Sequence, residues 1–305
     1  MRLLVVPLAG AVAMVGGGCS RRAGVSADAA PLAIGRLAVR ELSAPEDRVP
    51  GLGAREVETL VEARLRASSV VRRVEPSSPG AYHLTLQVGI GRPDGEADSS
   101  DDAEAARFVA LVSGRGTVLG RPEALELQAS AARPLASSGD VVRERRRVLR
   151  GLVETVLDDL LYQARLATAR DTEVVAALRD RDHLRAGAAA EIAAHRRIAP
   201  AVPALVALLK HPDERLADRA IGALIAIGDR RAVPHLTRLA KFSDTAKLTK
   251  LLDGIATLGG DEAREYLEFV AVGHGDEEIR GLATEALDRL KRREAGSGRA
   301  PSHRR

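Results

Sequence analysis

Leu205, Leu236 and Leu267 stand 31 residues apart, and so do Ala201, Ala232 and Ala263. The segments around them nearly repeat one another: A-V-P-A-L-V-A-L-L-K-H-P-D at 201–213, A-V-P-H-L-T-R-L-A-K-F-S-D at 232–244, and A-R-E-Y-L-E-F-V-A at 263–271. A unit of that length holds one helical pair, too little to bury its own apolar face, so the copies must stack. The chain beyond residue 171 is thereby confined to an all-α stack. Such a stack presents an extended surface to other molecules and carries no sign of a reaction.

Apolar periodicity places the first helices of the pairs at 184–197, 215–227, 246–258 and 278–293. The second helices fall at 201–211, 232–242 and 263–272. Gly228 and Gly259 stand where a helix ends on a left-handed residue. Pro203 and Pro234 sit in a first turn, where a missing N–H does no harm. Asp213, Asp244 and Asp276 precede the next helix, in capping position.

This pattern, with A-I-G-A-L-I-A-I-G-D-R-R-A-V-P-H-L at 220–236, resembles HEAT-like repeats of the phycobilisome-lyase type over 171–293. The resemblance implies an α-solenoid of three pairs plus a final helix, with the second helices lining the concave face. That family includes bilin lyases, but most members are scaffolds, and no lyase activity is carried over.

Register within the second helices puts Leu205/Leu236/Leu267 and Leu208/Leu239/Val270 inside. The outward columns are then Ala204/His235/Tyr266, Ala207/Arg238/Phe269 and Lys210/Lys241/Val272. With Phe242 close by, the expected protein-binding stripe is His235, Arg238, Lys241, Phe242, Tyr266 and Phe269. Aromatic rings beside arginine are what binding hot spots are made of. The alternative is that the rings pack between repeats or against the last helix.

The start of the chain is the next constraint. Arg2, an apolar run over 3–15 and then Gly16-Gly17-Gly18-Cys19-Ser20 describe an export signal over residues 1–18. That run is too short to span a bilayer, which takes ~20 apolar residues. Cys19 is the one cysteine of the chain, and its setting resembles the lipobox of bacterial lipoproteins. The resemblance implies cleavage before Cys19 and acylation of it, by palmitate or similar chains, on a tether over 19–31. An ordinary cleaved signal with an incidental cysteine is the alternative. By the same resemblance, Ser20 favours the outer membrane, facing the periplasm.

Residues 32–169 read differently. Leu32 to Leu42 has strand character, and 53–67 forms an amphipathic helix through Val57, Leu60, Val61 and Leu65. A short strand at 70–74 precedes the unbroken alternation of Tyr82, Leu84, Leu86, Val88 and Ile90. Two more strands at 107–119 and 124–132 precede a helix through Leu149, Leu152, Val156, Leu160 and Ala164. That order predicts an α+β domain, an antiparallel sheet covered by helices, followed by the all-α HEAT-like solenoid. It resembles the small α/β domains of envelope lipoproteins. The six carboxylates over 94–104 lack calcium-loop spacing and read as a solvated hairpin tip. Arg143 to Arg147 reads as the solvated start of a helix.

Charge and motif narrow the function. With 46 Lys and Arg against 42 Asp and Glu, spread over both halves, no basic surface for nucleic acid stands out. The seven histidines show no metal-ligand spacing, and no nucleophile elbow or phosphate loop occurs. The expectation is no enzyme, no cofactor, no metal and no small-molecule substrate. The expected function is that of an envelope lipoprotein held by its acyl anchor, whose repeats at 171–293 bind another envelope protein. The alternative is a peptidoglycan-associated or synthase-regulating lipoprotein that binds through its α+β domain. Residues 294–305 read as a disordered tail.

Overall fold

The computed structural model describes residues 31–91, 108–120, 125–135, 140–241 and 244–297. The export signal at 1–18, Cys19, the acidic segment 94–104 and Phe242 lie outside the described residues. The chain divides into two compact units between Ala169 and Arg170.

The first unit runs β1 (Leu32–Glu41), α1 (Ala54–Arg66), β2 (Val71–Arg73), β3 (Tyr82–Gly91), β4 (Val109–Val118), β5 (Leu127–Pro134) and α2 (Val141–Thr168). Its five strands form one sheet in the order β2-β1-β3-β4-β5. The α+β assignment holds, but the sheet is mixed and not wholly antiparallel. β1 runs parallel to both β2 and β3, and the β3–β4–β5 meander is antiparallel. The cause is the path after α1. The helix returns the chain to the start of β1, so β2 must run the same way. Residues 74–81 then cross β1 to open β3 on its far side. They pass so near that a Cβ on Gly35 would lie 3.2 Å from Ala81 Cβ and Pro76 Cα.

Alternation along the strands delivers Leu84, Leu86, Val88, Val112 and Leu127 to a single core beneath α1 and α2. From α2 that core takes the apolar stripe of Leu149, Val153, Val156, Leu157 and Leu160. Gly114 marks where α2 sits closest to the sheet: a Cβ there would meet Leu160, Leu86 and Val156 methyls at 2.7–2.8 Å. The opposite sheet face carries the cross-strand rows Ala38-Thr85-Arg115-Gln128 and Arg40-Gln87-Ser113-Ser130. The free edge of β5 is blocked at Gln128, whose N–H and C=O are both engaged by the side-chain amide of Gln163 at 3.2 and 2.8 Å.

α2 begins earlier than its apolar stripe suggests, and the arginine run lies in its first turns. Asp140 caps Arg143 N–H, Arg147 pairs with Glu144, Arg145 lies 4.6 Å over the Phe108 ring, and Arg146 donates to Pro50 O. Arg143 also pairs with Asp140 at 3.4 Å, so all four arginines have local partners.

The second unit is helical: α3 (Asp171–Ala177), α4 (His183–His195), α5 (Val202–Leu208), α6 (Glu214–Ile227), α7 (Val233–Leu239), α8 (Thr245–Leu258), α9 (Asp261–Gly273) and α10 (Glu277–Ser297). α4, α6, α8 and α10 pack in succession as one layer, and α7 packs on α9 in the other. Leu205, Leu236 and Leu267 are fully buried, each contributing about 2–3 kcal/mol of transfer free energy. Asp213, Asp244 and Asp276 cap as their positions suggest, and Asp182 does the same for α4. α3 is an addition to the expected pattern.

Two details differ from the sequence reading. Before α5 and α7 the chain makes a short 3-10 turn (Ala199–Ala201, Arg230–Ala232), whereas α9 is helical from Asp261. Pro203 and Pro234 cannot donate to the carbonyl four residues back, while Glu265, one repeat on, can. α10 also continues through Glu294 to Ser297, residues expected in the tail, because Glu294 pairs with Arg264 at 2.8 Å. Arg293 holds the helix from the other side, donating to the end carbonyls of α8 at Ala256 and Thr257.

Candidate functional site: the outer surface of α7 and α9

Successive positions of a helix advance by about a third of a turn, so the residues three and four apart on α7 and α9 share a stripe. On α9 the inward positions are Ala263, Leu267 and Val270, all buried. The outward stripe is Glu262, Glu265, Phe269 and Val272, all exposed. The equivalent stripe on α7 ends with Arg238 and continues to Lys241, both exposed, as is Lys210 after α5.

The expected stripe is divided by its surroundings. His235 and Tyr266 are part-buried. The Tyr266 hydroxyl donates to Ala240 O at 2.8 Å, and burial pushes its pKa up to about 12. Its ring therefore ties α9 to the end of α7, which is the packing role weighed against binding. Ala204, in the same column one repeat earlier, is buried. Phe269 stands differently, 61% exposed, with Val272 one turn on at 85%. These are the two most exposed of the large apolar side chains that the described residues leave in solvent. The structure thus brings Arg238, Lys241 and Phe269 to one outer surface, leaves Tyr266 at the helix–helix seam and His235 part-buried, and does not describe Phe242.

Charge on this surface is separated along the helices. Glu262 and Glu265 stand at the start of α9, and Lys210, Arg238 and Lys241 near the ends of α5 and α7. None of those three cations makes an ion pair with a described residue. In the other layer the pairs are made: Lys250 with Asp218, Arg289 with Asp253, and Arg219 with Glu191. The sequence reading passed over Glu262 and Glu265. The same 31-residue register finds them, in the columns of Arg231 and Pro234.

The first unit offers a second concavity. A groove of about 460 Å³ lies between α1 and α2, floored by Leu52, Leu60, Val153 and Leu157 and rimmed by Glu56, Arg64, Arg150 and Glu154. Among the described residues no group of three His, Cys, Asp or Glu side chains is placed to hold a metal ion. No helix of the described residues is long and apolar enough to cross a membrane.

No curated protein matches this chain. A family model for HEAT repeats matches residues 172–249, the stretch from α3 into α8, and HEAT repeats are stacked helical pairs whose class of activity is binding other proteins.

Proposed function

We propose that this chain is a lipid-anchored scaffold of the bacterial envelope, tethered through Cys19 and holding another envelope protein on the outer surface of α7 and α9. The observation that carries the reading is the conjunction on one surface of Arg238 and Lys241, unpaired among the described residues, with exposed Phe269 and Val272. Exposed apolar groups gathered beside cations on one surface are what an interaction site presents. The sequence setting of Cys19 supports the anchor and an outer-membrane, periplasm-facing position. The family match supports the scaffold.

The test is photo-crosslinking in the producing cell, with a benzophenone amino acid placed in the full chain at Ala207, Glu265 or Thr85. Ala207 and Glu265 flank the proposed surface, and Thr85 lies on the sheet face away from α1 and α2. Adducts to one envelope protein from 207 and 265, and none from 85, support the scaffold. Adducts from 85 alone remove it in favour of binding through the α+β unit.

That second reading, a peptidoglycan-associated or synthase-regulating lipoprotein, has its own support. Thr85, Gln87, Ser113, Gln128 and Ser130 form a polar, hydrogen-bonding patch that no helix of its unit covers among the described residues.

A further inference from the structure

We propose that the α7–α9 surface takes an extended acidic segment of its partner, with carboxylates on Arg238 and Lys241 and one apolar side chain on Phe269 and Val272. This rests on the scaffold reading and adds the chemistry of what is bound.

Four observations lead there. First, Lys210, Arg238 and Lys241 have no carboxylate among the described residues, whereas Arg219, Lys250 and Arg289 of the other helical layer are tied into ion pairs. Second, unpaired cations alone describe any wet surface, but here the same two columns continue onto exposed apolar groups. Arg238 leads to Phe269 and Lys241 to Val272, each 31 residues on. A ligand matching both must carry negative charge at one end and an apolar group at the other. Third, Glu262 and Glu265 lie one to two turns from Phe269 on the same helix. They repel a ligand that is anionic throughout, which argues against a nucleic acid or an anionic lipid surface and fixes the direction of the segment. Its acidic end lies toward α5 and α7, its apolar end over the second half of α9.

Fourth, the geometry sets a spacing. Packed helices lie about 8–10 Å apart, and an extended chain advances about 3.3 Å per residue. The apolar residue therefore lies about three positions from the carboxylates. Ion pairs at such a surface are solvated and salt-screened, so they choose the partner and its orientation more than they hold it. The apolar contact supplies the anchor.

The experiment uses the full chain and fluorescein-labelled decapeptides read by anisotropy. The probe carries three successive Asp or Glu residues with Phe or Leu three positions beyond. One control replaces the acids by Lys, and the other replaces the apolar residue by Ser. The acidic–apolar probe is expected to bind about tenfold or more tighter than either control, and to weaken as salt rises from about 0.05 to about 0.3 M. Arg238→Glu with Lys241→Glu, and separately Phe269→Ser, should each lose about tenfold with unchanged helicity. These side chains are exposed, so the variants fold.

Equal binding of the Lys control or the Ser control overturns the proposal, and so does full affinity in the variants. Failure of every peptide, with crosslinks from 207 and 265 intact, removes the acidic partner and leaves the scaffold. Failure of both removes the two together.

Discussion

Arg197 and Gly228 occupy the same place one repeat apart, and both have left-handed φ, at 51° and 77°. Each follows a first helix, α4 or α6, and turns the chain toward the second. Behind Arg197 the Ile198 N–H reaches back to Ala193 O at 2.9 Å, closing the end of α4. Glycine adopts this conformation without steric cost, whereas an arginine Cβ crowds the following carbonyl by about 1–2 kcal/mol.

Arg197→Gly should therefore stabilise the helical unit. Part of the relief is offset by the larger entropy of an unfolded glycine, leaving about 0.5–1 kcal/mol. The melting midpoint followed at 222 nm should rise by about 2–4 °C. A midpoint that falls would show that the Arg197 side chain makes a contribution larger than its strain.

Gly114 makes the opposite case in the first unit. Three methyl groups already fill the space a Cβ would need, at 2.7–2.8 Å. Gly114→Ala should push α2 off the sheet at a cost of about 1–3 kcal/mol. Gly91, on the neighbouring strand, has nothing within 4 Å of its Cβ direction. Gly91→Ala should leave the urea midpoint nearly unchanged, and equal losses at both positions would refute the packing argument.

These contrasts also show what was legible in the residues themselves. The repeat announced its helices because the same apolar spacing returns every 31 residues, and period is what stacking requires. The five strands were equally plain, since a sheet with one buried face writes itself as alternation. Strand direction was not. Nothing in Leu32 to Val39 distinguishes a parallel neighbour from an antiparallel one, and the cue lay in Gly35, where a crossing segment leaves no space for a side chain. The surface was legible as columns but not as depth. Tyr266 and Phe269 share a face by count, yet Tyr266 is part-buried and bonded to the end of α7, while Phe269 stays 61% exposed. Pairing of Glu294 with Arg264 joins residues 30 positions apart and has no local signature.

Asp213 links this fold to pH. Its carboxylate is pushed up by partial burial, but hydrogen bonds from Arg215 N–H, Leu216 N–H and His183 outweigh that and hold it below the ordinary value of 3.8. His183 in turn lies edge-on to His211, with ring centres 4.6 Å apart. A carboxyl lowered in the folded state adds stability above its unfolded pKa and loses it as pH falls through the folded value. Asp213→Asn keeps a cap but removes the titration. The variant should be less stable than the native chain at neutral pH, and the gap in urea midpoint should narrow progressively as pH falls below 3.8. A gap that stays constant would show that the charge of Asp213 contributes nothing.

Tyr266 and Phe269 supply the sharpest separation of stability from binding. With its pKa raised from 10.0 to about 12 by burial, the Tyr266 hydroxyl keeps its proton longer in the folded chain. Its contribution is complete below pH 10 and is lost as pH rises through about 12. Absorbance at the phenolate band should show a tyrosine step displaced to high pH, and Tyr266→Phe should remove that contribution. The same variant leaves Ala240 O without its 2.8 Å donor and should cost about 1 kcal/mol, while peptide affinity stays unchanged. Phe269→Ser should do the reverse, because a ring 61% exposed contributes little to the fold. If Phe269→Ser lowers the melting midpoint as much as Tyr266→Phe does, both rings serve the seam between α7 and α9, and the docking surface is lost with them.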